Sequence, residues 1–229
     1  MIKVKVFAKV NISLLINGIE NGFHMLDSVV ASADIADVIS LKRSETDMVE
    51  ILPSLSSVKE KIHSVISFMR DKYGISSVDI NIEKNIPHEA GLGGGSADGA
   101  AVLVALNKIF NVNASKRALM FIGGKVGADI PFCIVGGTAL CQDIGTVVAP
   151  LPDIENGSST VKAYDAIDSL GERLKHTRNN EMLENLLDEN LTDALKYCDN
   201  VFEQVIEVPD RADIKHILRK NNSSAACMS

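Results

Sequence analysis

The sequence predicts an α+β protein of two subdomains, on three observations. Apolar residues alternate over Ile2–Ile16 and again over Val78–Ile86, the period of half-buried strands. Between about 57 and 126, apolar residues recur at helical spacing or in an Ala-rich run. Beyond a loop-like stretch at 150–157 the pattern is mostly helical, which places a boundary between a strand-rich part, 1–150, and a helix-rich part, 151–229.

In the first strand Ile2, Val4, Val6, Ala8, Val10, Ile12, Leu14 and Ile16 fall on one face, and Lys3, Lys5, Phe7, Lys9, Asn11 and Ser13 on the other. This is one long strand or two joined by a bend. Asn17–Phe23 is a turn-rich connection, and Asp37–Lys42 a further strand. Val58, Ile62, Val65, Ile66, Met69 and Tyr73 define an amphipathic helix over about 57–72, with Gly74 placed to end it. A strand over Val78–Ile86 leads into a glycine-rich loop and a helix over about Ser96–Phe110. Ser115–Val126 is a helix stopped by Gly127-Ala128-Asp129 and Pro131. Short strands are expected at 132–135 and 138–142, and helices near 161–175, 181–190, 192–206 and 211–220.

The 229 residues are 46% hydrophobic and 23% charged, ordinary globular proportions at a length that buries a core without staples. Lys plus Arg number 23 against 30 Asp plus Glu, a net charge of −7. That balance argues against general nucleic-acid or membrane-surface binding, and leaves room for a small anionic ligand held by a local positive site. Cys133, Cys141, Cys198 and Cys227 form no CxxC and have no His at ligand spacing, so they read as reduced thiols and no metal site is expected. The N-terminus alternates lysines and has no apolar signal core, and the apolar run Ala100–Leu106 is far too short to span a bilayer. A cytoplasmic protein is the expectation.

The strongest chemical signal is PHEAGLGGGSADGAA, Pro87–Ala101. Gly91, Gly93, Gly94 and Gly95 allow backbone N–H groups to turn inward and let an anion approach closely. The helix that follows adds the partial positive charge of its N-terminus, and Ser96 can cap it or bond a phosphate oxygen. No Gly-Lys-Ser/Thr follows, so this is not a P-loop, and the G-x-G-x-x-G spacing is not kept. Lys9, His24 and Asp129 have bland readings when taken singly: a solvated lysine, an exposed histidine after a turn, and turn chemistry before Pro131.

Together these segments carry a resemblance. FAKVNISLLINGIENGFHML (7–26), IPHEAGLGGGSADGAAVLVALN (86–107) and KVGADIPFCIVGGTAL (125–140) resemble the superfamily of galactokinase, homoserine kinase, mevalonate kinase and phosphomevalonate kinase. Ala8-Lys9-x-Asn11, Gly22-Phe23-His24-x-Leu26, the triple glycine before Ser96, and Gly127–Phe132 are most similar to one branch. That branch phosphorylates the cytidine-diphosphate derivative of methylerythritol in the non-mevalonate isoprenoid pathway.

The resemblance implies an N-terminal ATP-binding domain over 1–150, of the ribosomal-protein-S5-domain-2-like β/α type. A helix-rich C-terminal α+β domain, shorter than the family's, would occupy 151–229. It implies that Pro87, Ala90, Gly91, Leu92, Gly93, Gly94, Gly95, Ser96 and Ala97 wrap the phosphates of ATP, which carries Mg2+. Asp129 would be the general base, with Lys9 paired to it at roughly 4 Å or less. Asn11, Phe23 and His24 would contact the cytidine and methylerythritol end, His24 at the base edge and Phe23 by stacking. A side chain at Gly94 is expected to fill the phosphate site. The segment 47–57 lacks the Asn with which the family opens the next helix near adenine. A homodimer is admitted; nucleic acid and membrane are not expected partners. Two other readings are a kinase of this superfamily for mevalonate or a sugar, and a non-catalytic nucleotide-binding relative. Asn11 and His24 weigh against the first, Lys9 and Asp129 against the second.

Overall fold

The computed structural model describes residues 1–151, 179–188, 190–194, 197, 216 and 220. They divide into two compact units that are not consecutive in sequence. One comprises Met1–Val10 and Ser32–Gly136, the other Asn11–Ala31 and Gly137–Ser229. This differs from the expected split at residue 150. The cause is strand β3 (Phe23–Arg43), 21 residues long, whose two halves serve different units. The expected boundary loop also begins inside a strand, because Pro150 pairs with Ala139 in β7.

In the first unit, β1 (Ile2–Asn11) follows its alternation: Val6 and Ala8 are buried while Lys3, Lys5 and Phe7 are exposed. The second half of β3 pairs antiparallel with β5 (Val78–Glu83), from Val38 opposite Glu83 to Arg43 opposite Val78. β4 (Met48–Leu52) lies parallel to β5, joined to it through α1 (Ser56–Tyr73). Val58, Ile62, Val65, Ile66 and Met69 form the buried stripe of α1. Gly74, at φ 66°, ends α1 as expected, its N–H donating to the Arg70 carbonyl at 2.8 Å. Helices α2 (Gly94–Ile109) and α3 (Lys116–Val126) follow, the latter capped by Ser115 Oγ, which accepts from the Ala118 N–H.

The expected strand at 132–135 is instead helix α4 (Ile130–Val135). Pro131 occupies its first turn, where a proline's missing N–H costs nothing and its φ is already helical, so it starts this element rather than only stopping the last. Ile130 of α4 is fully buried between two glycines of neighbouring helices. A Cβ on Gly99 of α2 would stand 2.9 Å from Ile130 Cδ1, and one on Gly123 of α3 would collide with Ile130 Cγ2.

In the second unit, β2 (Leu15–Glu20) and the first half of β3 form a hairpin around Asn21-Gly22, at φ 51° and 82°, the geometry of a two-residue turn that follows strand twist. Asn17–Glu20, expected as part of a turn-rich connection, therefore belongs to a strand, irregular around Gly18. β6 (Thr138–Asp143) lies antiparallel to both β3 and β7 (Val147–Leu151). Val29, Leu140, Ala149 and Leu151 share a core with Met182, Leu183 and Leu186 of α5 (Asn179–Leu187) and Ala194 of α6 (Leu191–Ala194). The helix expected near 161–175, and most of those expected near 192–206 and 211–220, lie outside the described residues, as do Cys198 and Cys227. Among the described residues no helix is long and apolar enough to cross a membrane.

The glycines around Ile130 carry a stability prediction. Gly123→Ala should destabilise by about 1–3 kcal/mol through overpacking, and Ile130→Ala by about 2–5 kcal/mol through the cavity it leaves. In denaturant titrations the double variant should lose less than the sum, since Ile130→Ala removes the atom that the new methyl meets.

Candidate functional site

An open pocket of the first unit is lined by Ser57, Val58 and Lys61 of α1, Lys84 and Ile86 after β5, the loop 87–95, Ser96 and Asp129. Every loop residue expected to wrap phosphate lines it except Ala97, which is fully buried in α2. Gly91 and Gly93 adopt φ of 75° and 68°, the left-handed region open to glycine. Ser96 and Ala97 N–H both donate to the Gly93 carbonyl, closing the first turn of α2 against the loop.

Lys9 reaches this loop from β1. Its backbone N–H donates to the Leu92 carbonyl at 3.0 Å, and its stem runs along Gly93, where a Cβ would lie 2.8 Å from Lys9 Cγ. Lys9 is thereby half-buried while Lys3 and Lys5 are exposed. The loop also constrains which glycine can be replaced. A Cβ on Gly94 would press on Ile86 Cγ2 at 3.0 Å and stand 3.3 Å from Lys84 Nζ, both residues of the pocket lining. The neighbouring Gly95 would direct a Cβ toward Val58 and Lys61 at 3.5 and 3.7 Å.

Asp129 stands at the N-terminal end of α4, and its carboxylate makes no capping hydrogen bond. Ile130 N–H donates to the Gly127 carbonyl and Cys133 N–H to the Asp129 carbonyl, so the turn is held by backbone and the carboxylate is left for other work. The Lys9 and Asp129 charges act on one thiol. Burial, with Asp129 adding to it, pushes the Cys133 thiol up to about 12 against the pull of Lys9 and Lys61. A thiol held this high stays protonated and is not a nucleophile.

Asn11, Phe23 and His24 belong to the second unit. Phe23 and His24 open β3 opposite Glu20 and Ile19, both exposed, with Phe23 60% accessible. Asn11 Nδ2 donates to Ser28 Oγ at 2.7 Å, and Ser28 Oγ donates to the Ser13 carbonyl at 2.6 Å, so Asn11 braces its own strand pair.

Sequence reading missed the charged groups beneath the loop. Lys84 donates to Asp37 Oδ2 of β3 and, at 2.6 Å, to Asp98 Oδ2 of α2, with all three side chains buried. Asp37 Oδ1 also accepts the Asn85 and Ile86 N–H groups at 2.5 and 2.8 Å, fixing the start of the loop. The available signal was an Asp inside the Ala-rich stretch 96–106, where a buried carboxylate requires a partner. Burial pushes Asp98 up to about 7 against the opposing pull of Lys84. Its Oδ1 is buried without a partner among the described residues. A carboxyl raised above its unfolded value binds more protons in the folded state, so its contribution to stability is full below about pH 4 and is lost as pH rises to about 7. Any stability deficit of Asp98→Asn relative to the parent should therefore narrow between pH 5 and pH 8 in urea titrations. A pH-independent difference would contradict this.

The comparisons with known proteins agree with this arrangement. Residues 60–137, from α1 through the loop to the end of α4, match the model of the GHMP kinases N-terminal domain. A protein of Caldicellulosiruptor bescii named 4-diphosphocytidyl-2-C-methyl-D-erythritol kinase is 37% identical over 99% of this chain and 85% of its own length. One of the same name from Clostridium perfringens is 36% identical over the same shares. Among solved structures, a 4-(cytidine 5'-diphospho)-2C-methyl-D-erythritol kinase aligns with TM-score 0.65 over 96% of this chain and 84% of its own, at 21% identity. Methanococcus jannaschii mevalonate kinase aligns with TM-score 0.61 at 12% identity, covering 96% and 84%. The fold, the family match over the glycine loop and relatives of this identity along nearly the whole chain place it in the GHMP kinases, within the family of the 4-diphosphocytidyl-2-C-methyl-D-erythritol kinases.

Proposed function

We propose that the protein transfers the γ-phosphoryl group of ATP to a hydroxyl of 4-diphosphocytidyl-2-C-methyl-D-erythritol. The observation that carries this is one pocket in which a glycine loop in left-handed conformations, a helix N-terminus and an Asp129 carboxylate free of a capping bond converge. The loop amides and the N-terminus of α2 receive the phosphates, and Ser96 offers a hydroxyl to them. Magnesium arrives as part of the nucleotide substrate and neutralises phosphate charge there. Among the described residues no group of three or more His, Cys, Asp or Glu forms a metal cage.

Asp129 takes the proton from the acceptor hydroxyl as its oxygen attacks the γ-phosphorus. The bond to the bridging oxygen breaks and ADP leaves with that oxygen. Lys9 orients the hydroxyl and offsets negative charge as it develops. Their common action on the Cys133 thiol supports a shared neighbourhood for the two groups. Asn11, Phe23 and His24 serve the cytidine and methylerythritol end of the acceptor. The exposed ring pair at the start of β3 suits a flat base with a polar edge. The reading is that of a cytoplasmic biosynthetic enzyme; whether it acts as a homodimer is a separate question that sedimentation would answer.

An acceptor panel of 4-diphosphocytidyl-2-C-methyl-D-erythritol, mevalonate, homoserine and galactose with MgATP tests the assignment. Transfer should be confined to the first, and transfer to mevalonate alone would replace the proposal. Asp129→Asn should keep nucleotide affinity and lose about 10²–10⁴-fold in kcat. His24→Ala should raise the acceptor KM by the equivalent of about 1–3 kcal/mol and leave the ATP KM in place. A shift in the ATP KM instead would assign His24 to the nucleotide.

A further inference from the structure

A cation that the sequence did not single out stands at the meeting point of the phosphate loop and the Asp129 turn. Lys61 lies one turn after Ser57 on the face of α1 that lines the pocket, while its neighbours Lys59 and Glu60 point to solvent. Its ammonium donates to Ser96 Oγ at 3.2 Å. The same Nζ stands 3.7 Å from where a Cβ on Gly95 would be and 3.4 Å from one on Gly127. The start of α2 and the turn two residues before Asp129 therefore both close on this one charge. Among the described residues no carboxylate forms an ion pair with Lys61. Lys84, by contrast, is held by two carboxylates.

An ammonium half-buried without an acid partner, beside helix N–H groups, is poised for an anion. We propose that Lys61 binds the terminal phosphate of the nucleotide, and so contacts the group being transferred. The assignment rests on the kinase reading above. Position selects the terminal phosphate over the inner ones. The phosphoryl group that moves must come nearest the base, and Lys61 is the pocket cation that touches the turn carrying Asp129. As the γ-phosphoryl group separates, its equatorial oxygens keep their charge, and an ammonium already in place meets that charge without reorganising. Ser96 Oγ, in its bond with Lys61, keeps the long side chain directed at the cradle.

The alternative role is structural, with Lys61 only tethering Ser96. Binding of ADP and of a non-hydrolysable ATP analogue to the full chain separates the two, because only the analogue presents the terminal phosphate. Lys61→Met should weaken the analogue by about 10- to 100-fold, the factor that a lost hydrogen bond to a charged group carries. Its affinity for ADP should stay near the parent value, and Lys61→Arg should restore much of the loss. Equal losses for both nucleotides, no loss for either, or a Ser96→Ala variant that reproduces the whole ATP-specific effect would overturn the proposal. Lys61→Gln, compared at matched thermal stability, serves if Lys61→Met folds poorly. The measurement needs no acceptor, so its outcome is independent of the acceptor panel. A parent protein that binds both nucleotides and phosphorylates none of the four acceptors would defeat the kinase assignment and leave the Lys61 contact standing.

Discussion

The seating of Ile130 between Gly99 and Gly123 fixes where chemistry can occur in the first unit. Three helices come together there because two of them carry no side chain at the point of contact. The consequence for the site is positional. Asp129 is the residue before that anchored side chain, and Gly127, two residues earlier, lies against Ser96 Oγ and Lys61 Nζ. The Asp129 carboxylate is thus referred to the N-terminus of α2 through packing, without a capping hydrogen bond to hold it. Interiors packed to near-crystal density transmit position in this way, since a displaced side chain has nowhere to go.

The loop is held at both ends by different physics. At its start, Asp37 accepts two backbone N–H groups and Lys84, and the same lysine reaches Asp98 in α2, so strand, loop and helix share one buried charge cluster. Such a cluster is a poor source of stability, because taking the charges out of water costs about as much as their attraction returns. Its value is geometric: it permits few arrangements. At the other end, the Lys9 backbone and the Leu92 carbonyl tie the loop to β1, and the Lys9 stem leaves room only for glycine at 93. Between these ties the glycines hold left-handed conformations that would otherwise be lost among many alternatives. The loop is thus formed before any ligand enters, and little binding energy would go into ordering it.

How much of this was legible in the sequence depends on which force shaped each part. α1, Gly74 and β1 were readable because one face of each is buried and the period shows through. The first half of β3 was not: Asp27, Ser28, Val29, Val30 and Ala31 are all buried, so no alternation survives, and two of the five are polar. Pro131 was read as a helix stop and Pro150 as the start of a loop. One opens α4, and the other sits in β7, whose only described partner is β6, where a strand tolerates a missing donor. At the site, the glycine loop, Lys9 and Asp129 stood out by composition and resemblance. Lys61, Lys84, Asp37 and Asp98 did not, because ordinary charged residues become a constellation only when distant segments meet. Asn11 shows the reverse case, a residue marked by resemblance whose visible bond in the structure is to Ser28.

The overall charge of −7 and the local field of the pocket point in opposite directions, and the local field governs what binds. Acidic residues outnumber basic ones along the chain, yet the pocket gathers Lys61, Lys84 and the first turn of α2 around the loop, with Asp129 on its lining. Glu89 also lines the pocket but is exposed at the loop tip, where water screens it. Asp37 and Asp98 are withdrawn from the field by Lys84, and Asp98 further by its raised pKa. What remains facing the pocket is a partial positive helix end, an ammonium bonded to a hydroxyl, and the Asp129 carboxylate on the turn beside them. That is the polarity phosphoryl transfer needs: positive where the phosphates lie, negative where a proton must be accepted.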